Sequence, residues 1–162
     1  MLKKINQTGC RWLWVAIVVF ILDRITKYCA QKWLVLYTPV AIFPFFNLTL
    51  AYNKGAAFSF LDNFSGWQVW LFGLISIAVS VGILIWLYRL PSRQRWLAVA
   101  LTLVLGGALG NFCDRVLYGH VIDFLDFYIG RLHWPAFNVA DSAICVGAVM
   151  LVLDAMFYKK TS

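Results

Sequence analysis

Long apolar runs broken at a few places set the hydrophobic pattern of this chain. Near-continuous runs occupy residues 12–22 (through residue 29 if Asp23, Arg24 and Lys27 are tolerated), 67–88, 96–112 and 137–157. Each fits a membrane-spanning helix of roughly 17 to 25 residues. Hydrocarbon offers no partner for backbone amides, so runs of this length should be helical. The expectation is one membrane all-α domain over residues 1–162. It is a four-transmembrane-helix bundle with spans at about 12–29, 67–88, 96–113 and 137–157, a small β-sheet on the outer surface and an interfacial helix. Trp12, Trp14, Trp33, Trp67, Trp86, Trp96 and Trp134 fall near span ends, where amphipathic rings prefer the interface.

Between the first two runs the period changes. Phe46, Leu48, Leu50 and Tyr52 alternate with Asn47, Thr49, Ala51 and Asn53, the period of a strand. Asn53, Lys54 and Gly55 form a turn signal, which predicts a returning strand over residues 56–61 and an interfacial segment over 63–70.

Composition agrees with a bilayer as solvent: 62% of the 162 residues are hydrophobic and 13% charged, against about half and a quarter in a soluble domain. The net charge of +7 does not point to nucleic acid, because the basic residues bracket apolar runs instead of forming one stripe. Lys3, Lys4, Arg11, Arg89, Arg93, Arg95, Lys159 and Lys160 fall on one side of the expected bundle. The positive-inside rule then puts both termini in the cytoplasm and the long loops outside. The first run precedes Asp23, Arg24 and Ile25 and not a small-residue cleavage site, so it reads as a retained helix, not a removed leader.

Chemistry is carried by aspartates, since all seven acidic residues are Asp. Six of them, Asp23, Asp62, Asp114, Asp123, Asp126 and Asp141, map to the outer half, with Asp154 toward the cytoplasm. An ionisable group within a span is costly unless paired or facing a cavity, so such acids are functional candidates. Asn138 and Asp141 share one helical face; Asn111, Asp114 and Arg115 share another. Between them, Gly119 can turn the chain and apolar neighbours can hold Asp123 at the membrane surface opposite Asp141. Two carboxylates in one small site cannot both ionise easily, which makes one an acid and the other a base. With a water between them they could hydrolyse a peptide.

Blander readings compete at each position. The acids could be helix-end residues favoured by the helix dipole. Asn53 could be a turn residue, and Asn111, Arg115 and Asn138 could be interhelical glue. Asp23 and Lys27, four residues apart, read as a structural ion pair, and Asp126 and Asp154 as solvated or interfacial. Gly106, Gly107 and Gly110 read as close-packing positions. His120 and His133 lie in no H-E-x-x-H, no Ser lies in G-x-S-x-G, and Cys10, Cys29, Cys113 and Cys145 form no C-x-x-C, so no metal or cofactor is expected. A small transporter or proton channel, or an assembly factor, could also use intramembrane aspartates. A transporter should spread polar residues through the bilayer or carry an inverted repeat, and neither pattern is present.

Five blocks in order resemble the lipoprotein signal peptidases, also called type II signal peptidases: DRITK at 23–27, NKGAAF at 53–58, GGALGNFCDR at 106–115, VIDF at 121–124 and FNVADS at 137–142. The resemblance runs nearly end to end. It implies a four-span aspartyl protease of the bacterial inner membrane, with Asp123 and Asp141 as the catalytic dyad at the periplasmic face. Asn53, Gly55, Asn111, Arg115 and Asn138 would form the surrounding polar shell, and Asp114 a structural partner for Arg115. The implied substrate is a diacylglyceryl-modified prolipoprotein, cut on the amino side of its lipobox cysteine, with membrane lipids and a globomycin-type inhibitor as further partners. Arg24 stands at a variable place of the first block, and Cys113 where another apolar residue is common.

Overall fold

The structure is a computed structural model that describes residues 7–55 and 66–157. Its elements run in the order α1 (Leu13–Trp33), β1 (Val40–Phe43), β2 (Phe46–Asn53), α2 (Trp67–Arg89), α3 (Arg95–Tyr118), β3 (Val121–Ile129), β4 (Leu132–His133) and α4 (Val139–Phe157).

The helices α2, α3 and α4 are long and apolar enough to cross a bilayer, whereas α1 has similar length but carries Asp23, Arg24 and Lys27 together. The apolar residues of α2 and α4 point mostly outward: Trp70, Leu74, Ile85, Val149 and Val152 are exposed. A helix apolar on all sides is what lipid contact requires. The helices run past the expected spans at two ends, α1 to Trp33 and α3 to Tyr118.

The central helix is α3, which packs against α1, α2 and α4. Small residues make this possible. A Cβ on Gly106 would stand 2.8 Å from the Ala16 carbonyl oxygen of α1, and one on Gly107 would collide with the Ala140 carbonyl of α4. Without side chains at these positions, two neighbouring backbones can approach α3 on adjacent faces. Thr102 is fully buried there, and its hydroxyl donates to the carbonyl oxygens of Ala98 and Val99, both at 2.9 Å. That internal bond lets a polar side chain sit in the helix core.

At one end of the bundle, the four strands form one antiparallel sheet in the order β1-β2-β3-β4. The alternation read over residues 46–53 is β2. In the sheet it pairs with β1 and β3. The returning strand expected over 56–61 lies outside the described residues, as does the start of the segment expected over 63–70, which is already α2 from Trp67. The main partner of β2 is β3, with Ala51 opposite Asp123 and Asn53 opposite Val121. Residues 121–129 did not read as a strand because Val121, Ile122, Asp123 and Phe124 are all buried. A strand covered on both faces loses the polar alternation that would reveal it.

Gly119 joins the helical bundle to this sheet. It ends α3 with φ of +70° and donates its N–H to the Arg115 carbonyl at 3.1 Å, a left-handed cap that reverses the chain into β3. Ile122 and Phe124 then pack with Ala30 and Leu50 beneath the sheet. That packing fixes the height at which Asp123 meets the helices.

Candidate active site

The first turn of α4 is built as a reciprocal cap. Asn138 is its N-cap: its side-chain oxygen accepts the Asp141 N–H at 2.9 Å, and the Asp141 carboxylate accepts the Asn138 N–H at 3.3 Å. This is the capping-box arrangement with Asp in the acidic position. The intervening Ala140 N–H donates to Asp23 Oδ1 at 3.0 Å. Buried amides at a helix start need such acceptors, and carboxylates there also complement the helix dipole.

The same residues carry the link to β3. The Asn138 amide donates to Asp123 Oδ1 at 2.7 Å, and the Asn53 amide at the end of β2 donates to Asp123 Oδ2 at 3.1 Å. From α3, the Asn111 amide donates to Asp141 Oδ1 at 2.7 Å. Asp123 and Asp141 therefore meet around Asn138, and each carboxylate is held by carboxamide donors from other elements.

Burial separates the two acids. Asp123 is 2% exposed, while Asp141 is half-buried and lines a cleft of about 560 Å³ together with Asn53, Asn111 and Arg115. Asp123 lies in β3, outside the helices. Burial pushes its carboxyl up to about 7 and the neighbouring Asp141 charge adds to this, while the Asn53 and Asn138 amides offset part. A carboxyl in that range exchanges a proton near neutral pH. The rest of the cleft is largely apolar, with Phe72, Ile75, Val79, Val104 and Ile144 continuing between α2, α3 and α4.

Arg115 organises the rim. Its guanidinium donates to the Gly55 carbonyl at 3.2 Å and to the Asn111 carbonyl at 3.3 Å, and lies over the Phe72 ring. Gly55 is itself tied back, its N–H donating to Asn53 Oδ1 at 2.9 Å. Asn53 thus makes a turn and at the same time offers its amide to Asp123.

The expected Asp114–Arg115 partnership is corrected by the structure. Asp114 is fully buried and pairs with Arg24 and with Lys27 Nζ, the latter at 2.7 Å, and it accepts the Ile122 N–H at 3.2 Å. Adjacent residues on α3 diverge by about 100°, which sends Asp114 toward α1 and Arg115 toward the cleft. Lys27 also stands 2.9 Å from Asp23. Arg24 as a partner was not legible, because nothing in the sequence aligns the α1 and α3 faces.

Asp126 is corrected too. It is buried, not solvated, and accepts from Thr49 at 2.9 Å and Asn47 at 3.3 Å, with His133 Nδ1 at 2.8 Å. It clasps β2, β3 and β4 together. Among the described residues no group of three or more His, Cys, Asp or Glu could hold a metal ion.

Known proteins share this arrangement of elements and much of the sequence. The family described as "Signal peptidase (SPase) II" matches residues 15–157. The chain is 53% identical over 154 residues to the lipoprotein signal peptidase of Alteromonas mediterranea, covering 95% of this chain and 85% of that one. It is 56% identical over 153 residues to the lipoprotein signal peptidase of Pseudomonas aeruginosa, with 93% and 90% covered. A solved bacterial membrane enzyme aligns with a TM-score of 0.81 at 32% identity, over 94% of this chain and 93% of its own. A second gives 0.79 at 29% identity, over 98% and 100%. With the family matched over most of its length and relatives above half identity, this chain belongs to the signal peptidase II family.

Proposed function

We propose that this protein is an aspartic endopeptidase of the bacterial inner membrane that removes signal peptides from diacylglyceryl-modified prolipoproteins. The cut falls on the amino side of the lipidated cysteine. The reading includes a single domain with four spans, α1 being the first, both termini cytoplasmic and the dyad at the periplasmic face. One observation carries it: Asp123 and Asp141 come from different elements yet are joined through Asn138 beside a cleft lined by a few polar residues and otherwise apolar.

In this mechanism Asp123, kept up to about 7 by burial and by the Asp141 charge, holds a proton at neutral pH. Asp141 is the charged member and fronts the cleft. It takes a proton from a water as the oxygen attacks the scissile carbonyl carbon, while the Asp123 proton goes to the carbonyl oxygen. Collapse of the tetrahedral intermediate breaks the C–N bond. The proton on Asp141 passes to the departing amine of the cysteine, and the proton on the oxygen returns to Asp123. No covalent intermediate with the protein forms.

Each neighbour has a task. Asn111 and Asn138 hold Asp141 by donors, and Asn53 and Asn138 do the same for Asp123. Arg115 holds the Asn53–Gly55 turn at the rim. The apolar lining between α2 and α4 suits a hydrophobic signal segment and acyl chains, which leaves only the scissile peptide among polar groups.

The test is purified protein with lipidated and unlipidated precursor. Wild type should cut only the lipidated form, a globomycin-type peptide should block it, and a chelator should not. Asp123→Asn and Asp141→Asn should be folded and inactive, because each removes a titrating group. Full turnover by folded Asp141→Asn would overturn the mechanism.

A further inference from the structure

Lys27 pairs with Asp23, but that pairing accounts for only part of its surroundings. The side chain is 1% exposed; its ammonium donates to Asn111 Oδ1 at 3.0 Å and forms ion pairs with Asp114 Oδ2 at 2.7 Å and Asp23 Oδ2 at 2.9 Å. Arg24 contacts both aspartates. Asp23, Arg24, Lys27 and Asp114 are then neutral as a group. The bond to Asn111 adds nothing to that charge balance, and its consequence lies elsewhere.

Asn111 is buried between the ion cluster and the dyad. Its oxygen accepts from Lys27 and, at 3.2 Å, from the Asn138 amide, and its nitrogen therefore faces Asp141 Oδ1 at 2.7 Å. Turned over, this carboxamide would set its oxygen against a carboxylate oxygen and its N–H groups against two donors. Lys27 is the stronger of the two groups that forbid the turn, since a bond from a charged donor is about twice as strong as a neutral one.

We propose that Lys27 is a positioning residue for the dyad: through Asn111 it fixes which face of a buried carboxamide meets Asp141. The inference rests on the aspartic-dyad reading. The groups facing the dyad are Asp23 and Lys27 from α1, Asn53 from β2, Asn111, Asp114 and Arg115 from α3, and Asn138 at the start of α4. Lys27 is the cation that bears on both Asp123 and Asp141 from the side away from the cleft.

The deciding variant is Asp23→Asn with Lys27→Met. It deletes one charge of each sign, so the cluster stays neutral, and it keeps an oxygen for the Ala140 N–H. The expected result is a folded protein whose kcat falls about tenfold or more with KM within about twofold, because binding is intact and the dyad is misaligned. Lys27→Gln alone keeps a donor for Asn111 but removes the cation. It should retain more turnover than the double variant and move the alkaline limb of its pH profile upward, since a nearby positive charge no longer favours ionised carboxylates. The proposal is overturned if the folded double variant keeps kcat within about twofold of wild type, or if neither variant folds, which would make Lys27 a purely structural group. Wild type and Asp141→Asn serve as controls: a wild type that leaves the lipidated precursor uncut refutes the underlying peptidase reading instead.

Discussion

The side-chain amide of Asn138 donates to Asp123 Oδ1 at 2.7 Å while the other end of that amide accepts the Asp141 N–H. One side chain thus caps a helix and orients a carboxylate on a strand. The two roles can be separated. Ser is about as good an N-cap as Asn, and loss of a cap costs about 1 kcal/mol. Asn138→Ala should lose both cap and orientation. Asn138→Ser should recover about 1 kcal/mol of stability over Asn138→Ala, yet its short hydroxyl cannot reach Asp123. Both should lose about a hundredfold in kcat/KM, since misplacing a reacting group by an ångström costs that much. Unfolding and turnover of the pair check this; an active Asn138→Ser would separate the amide from the chemistry.

How much of this was legible in the sequence depends on which kind of signal each residue sends. Runs of apolar residues announce helices whatever their neighbours, so α2, α3 and α4 could be read directly. The alternation of β2 is readable because apolar and polar residues take turns along it. The strand β3 carried no such alternation, because sheet and helices cover both its faces around Asp123. Asp141 stands out as an acid within an apolar run, and Asp123 as an acid bracketed by apolar neighbours. The turn at Gly119 that brings them together is readable, but the register of β3 with β2 is a fact of three-dimensional packing. The partners of Asp114 differ from expectation for a similar reason: the resemblance offers its neighbour Arg115, whereas helix geometry turns Asp114 onto α1.

Close approach of α3 and α4 makes Gly107 a second point of control over the site. A Cβ there would run into the Ala140 carbonyl and stand 2.7 Å from Ile144 Cγ1. Ala140 immediately precedes Asp141, so any shift that relieves the clash moves the acid. Gly107→Ala should cost about 1–3 kcal/mol, the usual penalty of overpacking, and reduce turnover about tenfold. Gly82 on α2 is the matched control, since a Cβ there meets nothing within 4 Å. Gly82→Ala should instead gain about 0.5–1 kcal/mol from helix propensity and leave turnover unchanged. Thermal unfolding and turnover in one detergent distinguish the two; a Gly107→Ala protein as stable and active as wild type would mean that the helices have room to spare.

Two aspartates on β3 should show opposite pH dependence of stability, because three residues apart on a strand they point to opposite faces. Burial, reinforced by the Asp141 charge, pushes Asp123 from the ordinary 3.8 up to about 7. Its folded value lies above its unfolded one, so its stability is fully present below about pH 4 and lost as pH rises through about 7. Asp126 runs the other way. Burial alone would raise its carboxyl, but hydrogen bonds from His133, Thr49 and Asn47 hold it below 3.8. Its contribution is present above about pH 4 and disappears as pH falls through the lowered value. Asp123→Asn should therefore match wild type in acid and exceed it by on the order of 2 kcal/mol at about pH 8, although inactive. Asp126→Asn should be less stable by about 1–2 kcal/mol near neutrality, converge with wild type in acid, and keep its turnover. Melting curves of both variants across pH measure the signs. Parallel curves for wild type and Asp123→Asn at every pH would show that Asp123 does not titrate in the folded protein, and the acid assigned to the dyad would have to be sought elsewhere.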